Sequence, residues 1–396
     1  MKLAERLNCI VESKTLKMSK LSRELSAKGF DVINLSLGEP DFHTPNHIKD
    51  AAKKALDDNY TVYTPVPGYL DLREAISAKF KRENNLVYAP NQIVVSTGAK
   101  QSIINTMLAI LNPGDEVVVP TPYWVSYSEM IKLAEGVPVF VNAKVEADYK
   151  VTAAQVESAI TSKTKLFIFS SPCNPTGSVY SKEELQSLAK VFEKHPDIFV
   201  ISDEIYEHIN FVGKHESIAQ FESIKDQVIT VNGMSKSFAM TGWRIGYIGA
   251  AREIAEACEK LQGQFTSGTN SIAQRAALTA LTSDMTPTYD MGKAFRRRRD
   301  LVLSLMKDIP GFKTNLPGGA FYVFPDVSYY FGKSDGTITI NSSEDLCMYL
   351  LNTSYVALVA GDAFGAPECI RFSYATSDEK LVEALKRIKE ALAKLS

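Results

Sequence analysis

The 396-residue sequence is poor in cysteine and histidine, five of each, and carries almost no net charge, −2 with the histidines neutral. The cysteines (Cys9, Cys173, Cys258, Cys347, Cys369) are odd in number and scattered, with no Cys-x-x-Cys, which excludes a disulfide scaffold and fits reduced thiols in the cytoplasm. The histidines show no metal-ligand spacing, so neither a zinc nor an iron site is expected. A near-neutral balance offers no basic footprint for nucleic acid or an anionic membrane. No stretch reaches the roughly 18 unbroken apolar residues of a membrane span. The opening "MKLAERLNCIVES" lacks the apolar core of a secretory signal. The partners that remain are small molecules and further copies of the chain.

What is present is alternation. "QIVVS" (92–96), "EVVVP" (116–120), "PVFV" (138–141), "KLFIFS" (165–170), "IFVIS" (198–202), "QVITV" (227–231) and "RIGYIGA" (244–250) are almost continuously apolar, as strands buried on both faces should be. Helical patterns separate them, such as 100–111 and 181–195, the latter opening with a Ser181/Glu184 capping box. Alternating strands and helices predict an α/β fold with a mostly parallel sheet covered on both sides. From about 287 the pattern changes to one long helix, then short strands mixed with helices. This predicts a second, smaller domain. Arg296–Arg299 read as a solvated face of that long helix.

In such sheets ligands sit at the carboxyl ends of the strands, so the residues there matter most. After the strand at 92–96, Gly98 and Ala99 form a small-residue turn into a helix, either a plain loop or an anion site. After 165–170, "SPCNPTG" holds Asn174 in a rigid loop, unless the side chain only bonds its own backbone. After 198–202 comes "DEIYEH", whose Asp203 could be catalytic or a helix N-cap. After 227–231 comes "NGMSKSFAMTGWR", where Lys236 has no acidic residue three or four positions away and Arg244 follows.

One cofactor uses this whole set. Pyridoxal phosphate has an aldehyde that condenses with a lysine, a ring nitrogen that needs an acid, a phenolic oxygen and a phosphate. Lys236 would take the aldehyde, its amine biased towards the neutral, nucleophilic form. Asp203 would keep the ring nitrogen protonated, and Asn174 and Tyr206 would bond the phenolic oxygen. The phosphate would rest on the Gly98–Ala99 helix start, with Ser235 and Arg244.

These blocks, with "SLGEPDF" (36–42), "YTPVPGYLDLREAI" (63–76), "PYWVSY" (122–127), "GGAFYVF" (318–324) and "RFSYA" (371–375), closely resemble the pyridoxal-phosphate aminotransferases of the aspartate aminotransferase family, in particular the bacterial class I subgroup. The resemblance implies a fold-type-I transferase: a mostly parallel seven-stranded sheet in a large domain plus a smaller α+β C-terminal domain. It divides the chain into an N-terminal arm and lid that belongs with the small domain (1–45), the large cofactor-binding domain (46–286) and the small domain (287–396). It also implies a homodimer with shared active sites, in which Tyr63 reaches the phosphate of the neighbouring subunit's cofactor. Trp124 would stack on the cofactor ring, and Gly38 would make a backbone contact near the substrate. Arg371 would fork onto the substrate α-carboxylate, a task suited to a planar guanidinium. Lys100 matches the position associated with the distal carboxylate of a dicarboxylic substrate.

The implied reaction is a ping-pong amino transfer between L-aspartate and 2-oxoglutarate. Prephenate, aromatic or alanine transamination on the same fold is the alternative, and a lyase is a more distant one. Two departures stand out. The lid "VESKTLKMSKL" (11–21) is rich in lysine where the family favours small residues. Around 262–275 there is also no clear match to the arginine that animal-type enzymes donate across the interface.

Overall fold

The computed structural model describes residues 3–396. Seven strands form the central sheet: β1 (Ile93–Ser96), β2 (Glu116–Thr121), β3 (Val137–Asn142), β4 (Thr164–Ser170), β5 (Phe199–Asp203), β6 (Val228–Gly233) and β7 (Gly246–Gly249), in the spatial order β1-β7-β6-β5-β4-β2-β3. β7 alone runs opposite to the other six strands, whose carboxyl ends therefore point to one edge. The seven strands predicted from apolar runs are all present, within about two residues at each end.

The pleat explains why these runs are apolar throughout. In β4, Phe167 and Phe169 enter one hydrophobic cluster, while Leu166 and Ile168 enter the cluster on the opposite face. Both faces are covered, so neither set of alternating residues can be polar. β3 departs from this expectation. It is an edge strand, and Val137 and Phe140 are exposed.

The N-terminal and C-terminal segments meet in smaller sheets. The short strand Ile33–Asn34 pairs in parallel with Val356–Ala357. Strand Ile370–Ser373 lies antiparallel between Val359–Ala360 and Tyr322–Val323. Leu35, Phe295, Leu350 and Ile388 share one hydrophobic cluster here. The Ser181 capping box forms as read, with Oγ accepting from the Glu184 amide at 3.3 Å, and the helix runs Lys182–Phe192.

The reading of Arg296–Arg299 as a solvated face is corrected. In the helix Thr286–Met306, Arg298 and Arg299 are each only 7% exposed. Arg298 makes a two-pronged ion pair with Asp41 at 2.7 and 2.9 Å, and Arg299 donates to the Pro317 carbonyl at 2.8 Å. Consecutive residues on a helix point about 100° apart, so four in a row cannot all face water when one side packs.

A further buried charge lies behind the sheet. Lys79 is 1% exposed; it pairs with Glu207 and donates to Asn84 Oδ1 at 2.8 Å. Lys79→Met should strand the Glu207 carboxylate, costing about 3–5 kcal/mol. A shift of less than about 1 kcal/mol in urea unfolding would contradict this accounting.

Candidate active site

The carboxyl edge of the sheet borders a cavity of about 530 Å³, lined among others by Asp203, Lys236, Asn174, Arg371, Lys100 and Trp124. Tyr206, Ser235, Arg244, Ala99 and Gly38 also reach it, so eleven of the thirteen residues singled out from the sequence converge on one space. Gly98 does not line it; the Arg244 guanidinium covers this glycine. Tyr63 does not reach it and is 97% exposed.

Asp203 ends β5. No helix follows it, so it is not an N-cap. Its carboxylate accepts from the Tyr127 hydroxyl at 2.7 Å and the Ile205 amide at 3.3 Å. Burial dominates and pushes its pKa up to about 6, against the lowering effect of those bonds. Tyr127 went unassigned in the sequence, although "PYWVSY" contains it; a tyrosine in an apolar helix also reads as core. Tyr322 was missed for the same reason. Its hydroxyl meets that of Tyr206 at 2.8 Å.

Lys236 follows β6. Its ammonium donates to the Gly38 carbonyl and has no carboxylate partner among the described residues. Burial lowers its pKa to about 8, helped by the positive charges of Arg371 and Arg244 and opposed by Glu39 and Asp203. Near neutral pH a usable fraction of this amine is therefore unprotonated.

Arg371 is 2% exposed, and its guanidinium is packed between the rings of Tyr322 (4.7 Å) and Phe364 (4.9 Å). It donates to Asn174 Oδ1 at 2.9 Å and the Ser36 carbonyl at 2.6 Å, and its Nε has no partner among the described residues. Among the described residues no carboxylate balances it. A buried cation so placed calls for an anion from outside the chain.

Unpaired donors also gather at the start of the helix Ala99–Ile110. The Ala99 and Lys100 amides have no acceptor among the described residues, as expected of a first turn. Arg244, with φ +58°, crosses directly over Gly98, where a Cβ would sit 2.3 Å from Nη2. Any side chain at residue 98 would displace the guanidinium. The two helix-start amides, Ser235 and Arg244 border the same cavity, a set of donors suited to an anion.

Lys100 stands on that same first turn, its ammonium 5.1 Å from the centre of the Trp124 ring, and burial lowers its pKa. The lysine-rich lid resolves simply. Ser13, Thr15 and Leu16 line the cavity, whereas Lys14 pairs with Glu344 and Asp362 and Lys17 with Glu344. The lysines thus anchor the helix Lys14–Ala27, and the smaller residues face the site. Arg275, the nearest arginine to the absent cross-interface match, is committed to Asp71 at 2.6 Å and stacks 4.4 Å over Tyr69.

Residues 31–388 match the family of class I and II aminotransferases. The chain belongs to this family. It is an aminotransferase, and relatives match it almost end to end. It is 48% identical to a bifunctional aspartate aminotransferase and glutamate/aspartate-prephenate aminotransferase of Petunia hybrida, over 98% of this chain and 82% of that one. It is 44% identical to an aspartate aminotransferase of Bacillus subtilis, over the whole of both. Among solved structures, the aspartate aminotransferase of Rhizobium meliloti superposes with a TM-score of 0.97 at 41% identity, covering both chains fully. That of Thermus thermophilus with maleate gives 0.93 at 41% identity, over 99% of this chain and all of the other. The mostly parallel α/β sheet expected from the alternating strands, and the aminotransferase fold that the resemblance implied, are therefore the fold found.

Proposed function

We propose that this aminotransferase holds pyridoxal 5′-phosphate in the cavity and moves an amino group between L-aspartate and 2-oxoglutarate in two alternating half-reactions. One observation carries the reading: a buried, uncompensated Arg371 shares a cavity with an unpaired lysine amine, a buried aspartate and a cationic helix start. The donor set fits the cofactor group by group. When bound, pyridoxal phosphate supplies an aldehyde that takes up amines and a ring that accepts an electron pair from the substrate Cα.

The chain's residues do the rest. Lys236, with its depressed pKa, would take the proton from the substrate Cα and return it to the carbon that the bound cofactor's aldehyde supplies, two atoms away across the nitrogen. Asp203, steadied by Tyr127, holds a proton at the ring nitrogen. Asn174 and Tyr206 bond the phenolic oxygen, and Trp124 covers the ring. The Gly98–Ala99 turn, Ser235 and Arg244 hold the phosphate. Arg371 orients the α-carboxylate, with Gly38 presenting its backbone nearby, and Lys100 receives a distal carboxylate.

Arg371→Lys should cost about 2–4 kcal/mol of transition-state binding, or roughly 30- to 1,000-fold in kcat/KM, equally for all amino acids. Lys100→Ala should weaken aspartate and glutamate but spare alanine. Equal loss for alanine in the second variant would remove Lys100 from substrate selection.

Tyr63 serves the partner subunit on this reading. Its exposure, beside an exposed Val62, suits residues that a second copy covers, and the working unit is a homodimer with shared sites. Residues 46–286 form the cofactor-binding domain, and 287–396 with the arm 1–45 form the small domain; of the arm, residues 1–2 lie outside the described part. All five thiols are free, which suits the cytoplasm.

Prephenate is the second reading for the amino acceptor, because several relatives carry it in their names, among them the aspartate/prephenate aminotransferase of Cereibacter sphaeroides. The test is a panel of amino and oxo acids given to the protein loaded with pyridoxal phosphate. Stoichiometric 2-oxo acid from aspartate supports the proposal. Ammonia or carbon dioxide in its place would indicate a lyase. Rates from aspartate with prephenate, measured beside 2-oxoglutarate, decide the acceptor.

A further inference from the structure

The segments that carry Asp203 and Lys236 present one side to the cavity and the other to a buried polar cluster. Behind Asp203, Glu204 accepts from Ser202 Oγ at 2.9 Å and Ser217 Oγ at 2.5 Å, and its other oxygen meets His215 Nε2 at 2.9 Å. Behind Tyr206, Glu207 pairs with Lys79 and accepts from Asn84 Nδ2 at 2.8 Å. The donor atoms of Glu83, Glu207 and His208 gather as around a cation, and the Lys79 ammonium already fills that role.

His208 is the member that joins both segments. It follows Glu207 in "DEIYEH". Its Nε2 is 2.9 Å from Glu83 Oε2, and its Nδ1 is 2.9 Å from Ser237 Oγ, on the residue next to Lys236. A carboxylate only accepts, so Nε2 carries a proton; in the neutral ring Nδ1 is left to accept from the Ser237 hydroxyl. Ser237 is buried, and the imidazole meets the Phe238 ring edge-on at 6.0 Å. Glu207 Oε1, 3.7 Å from Nδ1, is the other charge beside the ring.

We infer that His208 is a positioning residue: through Ser237 it locks the Lys236 segment to the Asp203–Tyr206 segment, so that the amine is presented at a fixed place over the cavity. The inference rests on Lys236 being the working amine. No other hydrogen bond between side chains ties the two segments directly among the described residues. Misplacement of a reacting group by about 1 Å costs on the order of 100-fold in rate, and the Lys236 side chain has only the Gly38 carbonyl to hold it otherwise.

The test uses the full-length protein as Ser237→Ala, His208→Phe, the double variant and Ser237→Thr. His208→Phe keeps an aromatic ring but removes the His208 bond to Glu83, leaving Glu83 to Arg82 and Lys79, whereas Ser237→Ala leaves Glu83 untouched. Two quantities are read: the rate at which an acylating reagent modifies Lys236 without cofactor, mapped by mass spectrometry, and kcat with KM after loading with pyridoxal phosphate. Each single variant should change the modification rate several-fold and lower kcat by about 10- to 100-fold with KM little changed. The double should be no worse than the worse single, and Ser237→Thr should restore both readouts. Additive losses in the double, or a folded Ser237→Ala that matches the parent in both readouts, would overturn the inference. The modification rate involves neither substrate nor cofactor, so a wrong substrate assignment leaves this result standing.

Discussion

Lys236→Ala should fold and take up pyridoxal phosphate, yet transaminate aspartate at least about 10⁴-fold more slowly than the parent. Two observations set that size. Lys236 is the fully buried amine of the cavity, its pKa lowered to about 8, and its ammonium has no carboxylate partner among the described residues. Lys100, also lowered by burial, sits on the far helix beside Trp124. The phosphate cradle does not involve the 236 side chain, so cofactor retention is expected to persist. Single-turnover measurement of 2-oxo acid release separates the two effects. A variant within tenfold of the parent would remove Lys236 from the chemistry.

Asp203→Asn should rank next, with turnover reduced by about 10²–10⁴-fold and KM for aspartate changed far less. An amide has the same shape but cannot hold a proton as a charged partner of a ring nitrogen. Tyr127 would retain a hydrogen-bond acceptor, so the fold should not suffer. The same variant has a signature without cofactor. The folded carboxyl titrates near 6, above the unfolded value of about 3.9. Between these values the folded chain holds a proton that the unfolded chain has lost, so the parent loses stability as pH rises through that window. Asp203→Asn should be free of that slope. Parallel melting curves from about pH 4 to 6 for the two proteins would show that the carboxyl is not held protonated by burial.

The central sheet was readable because both its faces are covered: strands such as "KLFIFS" are then apolar without interruption, and the Gly and Pro between them mark the turns. β3 has the same composition but lies at the edge, since a sequence of four apolar residues does not say what packs on each side. The arginine run misled for a related reason. Charge predicts solvent only until a partner such as Asp41, 257 positions away, is brought alongside.

The site was readable in its charged members. Lys236 and Asp203 follow or end strands in company that ordinary surface charges lack, whereas Arg371, inside the strand Ile370–Ser373, was found through the resemblance. Tyr127 and Tyr322 were not, because their functional part is one hydroxyl on an otherwise apolar ring, and only tertiary structure says what that hydroxyl meets. The His208–Ser237 link escaped for the same reason: both residues look ordinary beside the motifs that contain them. Tyr63 stays with the resemblance, since a single chain leaves it in solvent.

The most direct test of the central claim is to load the protein with pyridoxal phosphate, reduce it with borohydride and map the labelled peptide. The cavity geometry predicts one phosphopyridoxyl group per chain, on Lys236, and its disappearance when Lys236 is replaced. Label on Lys100 or any other lysine, or none at all, would contradict the account.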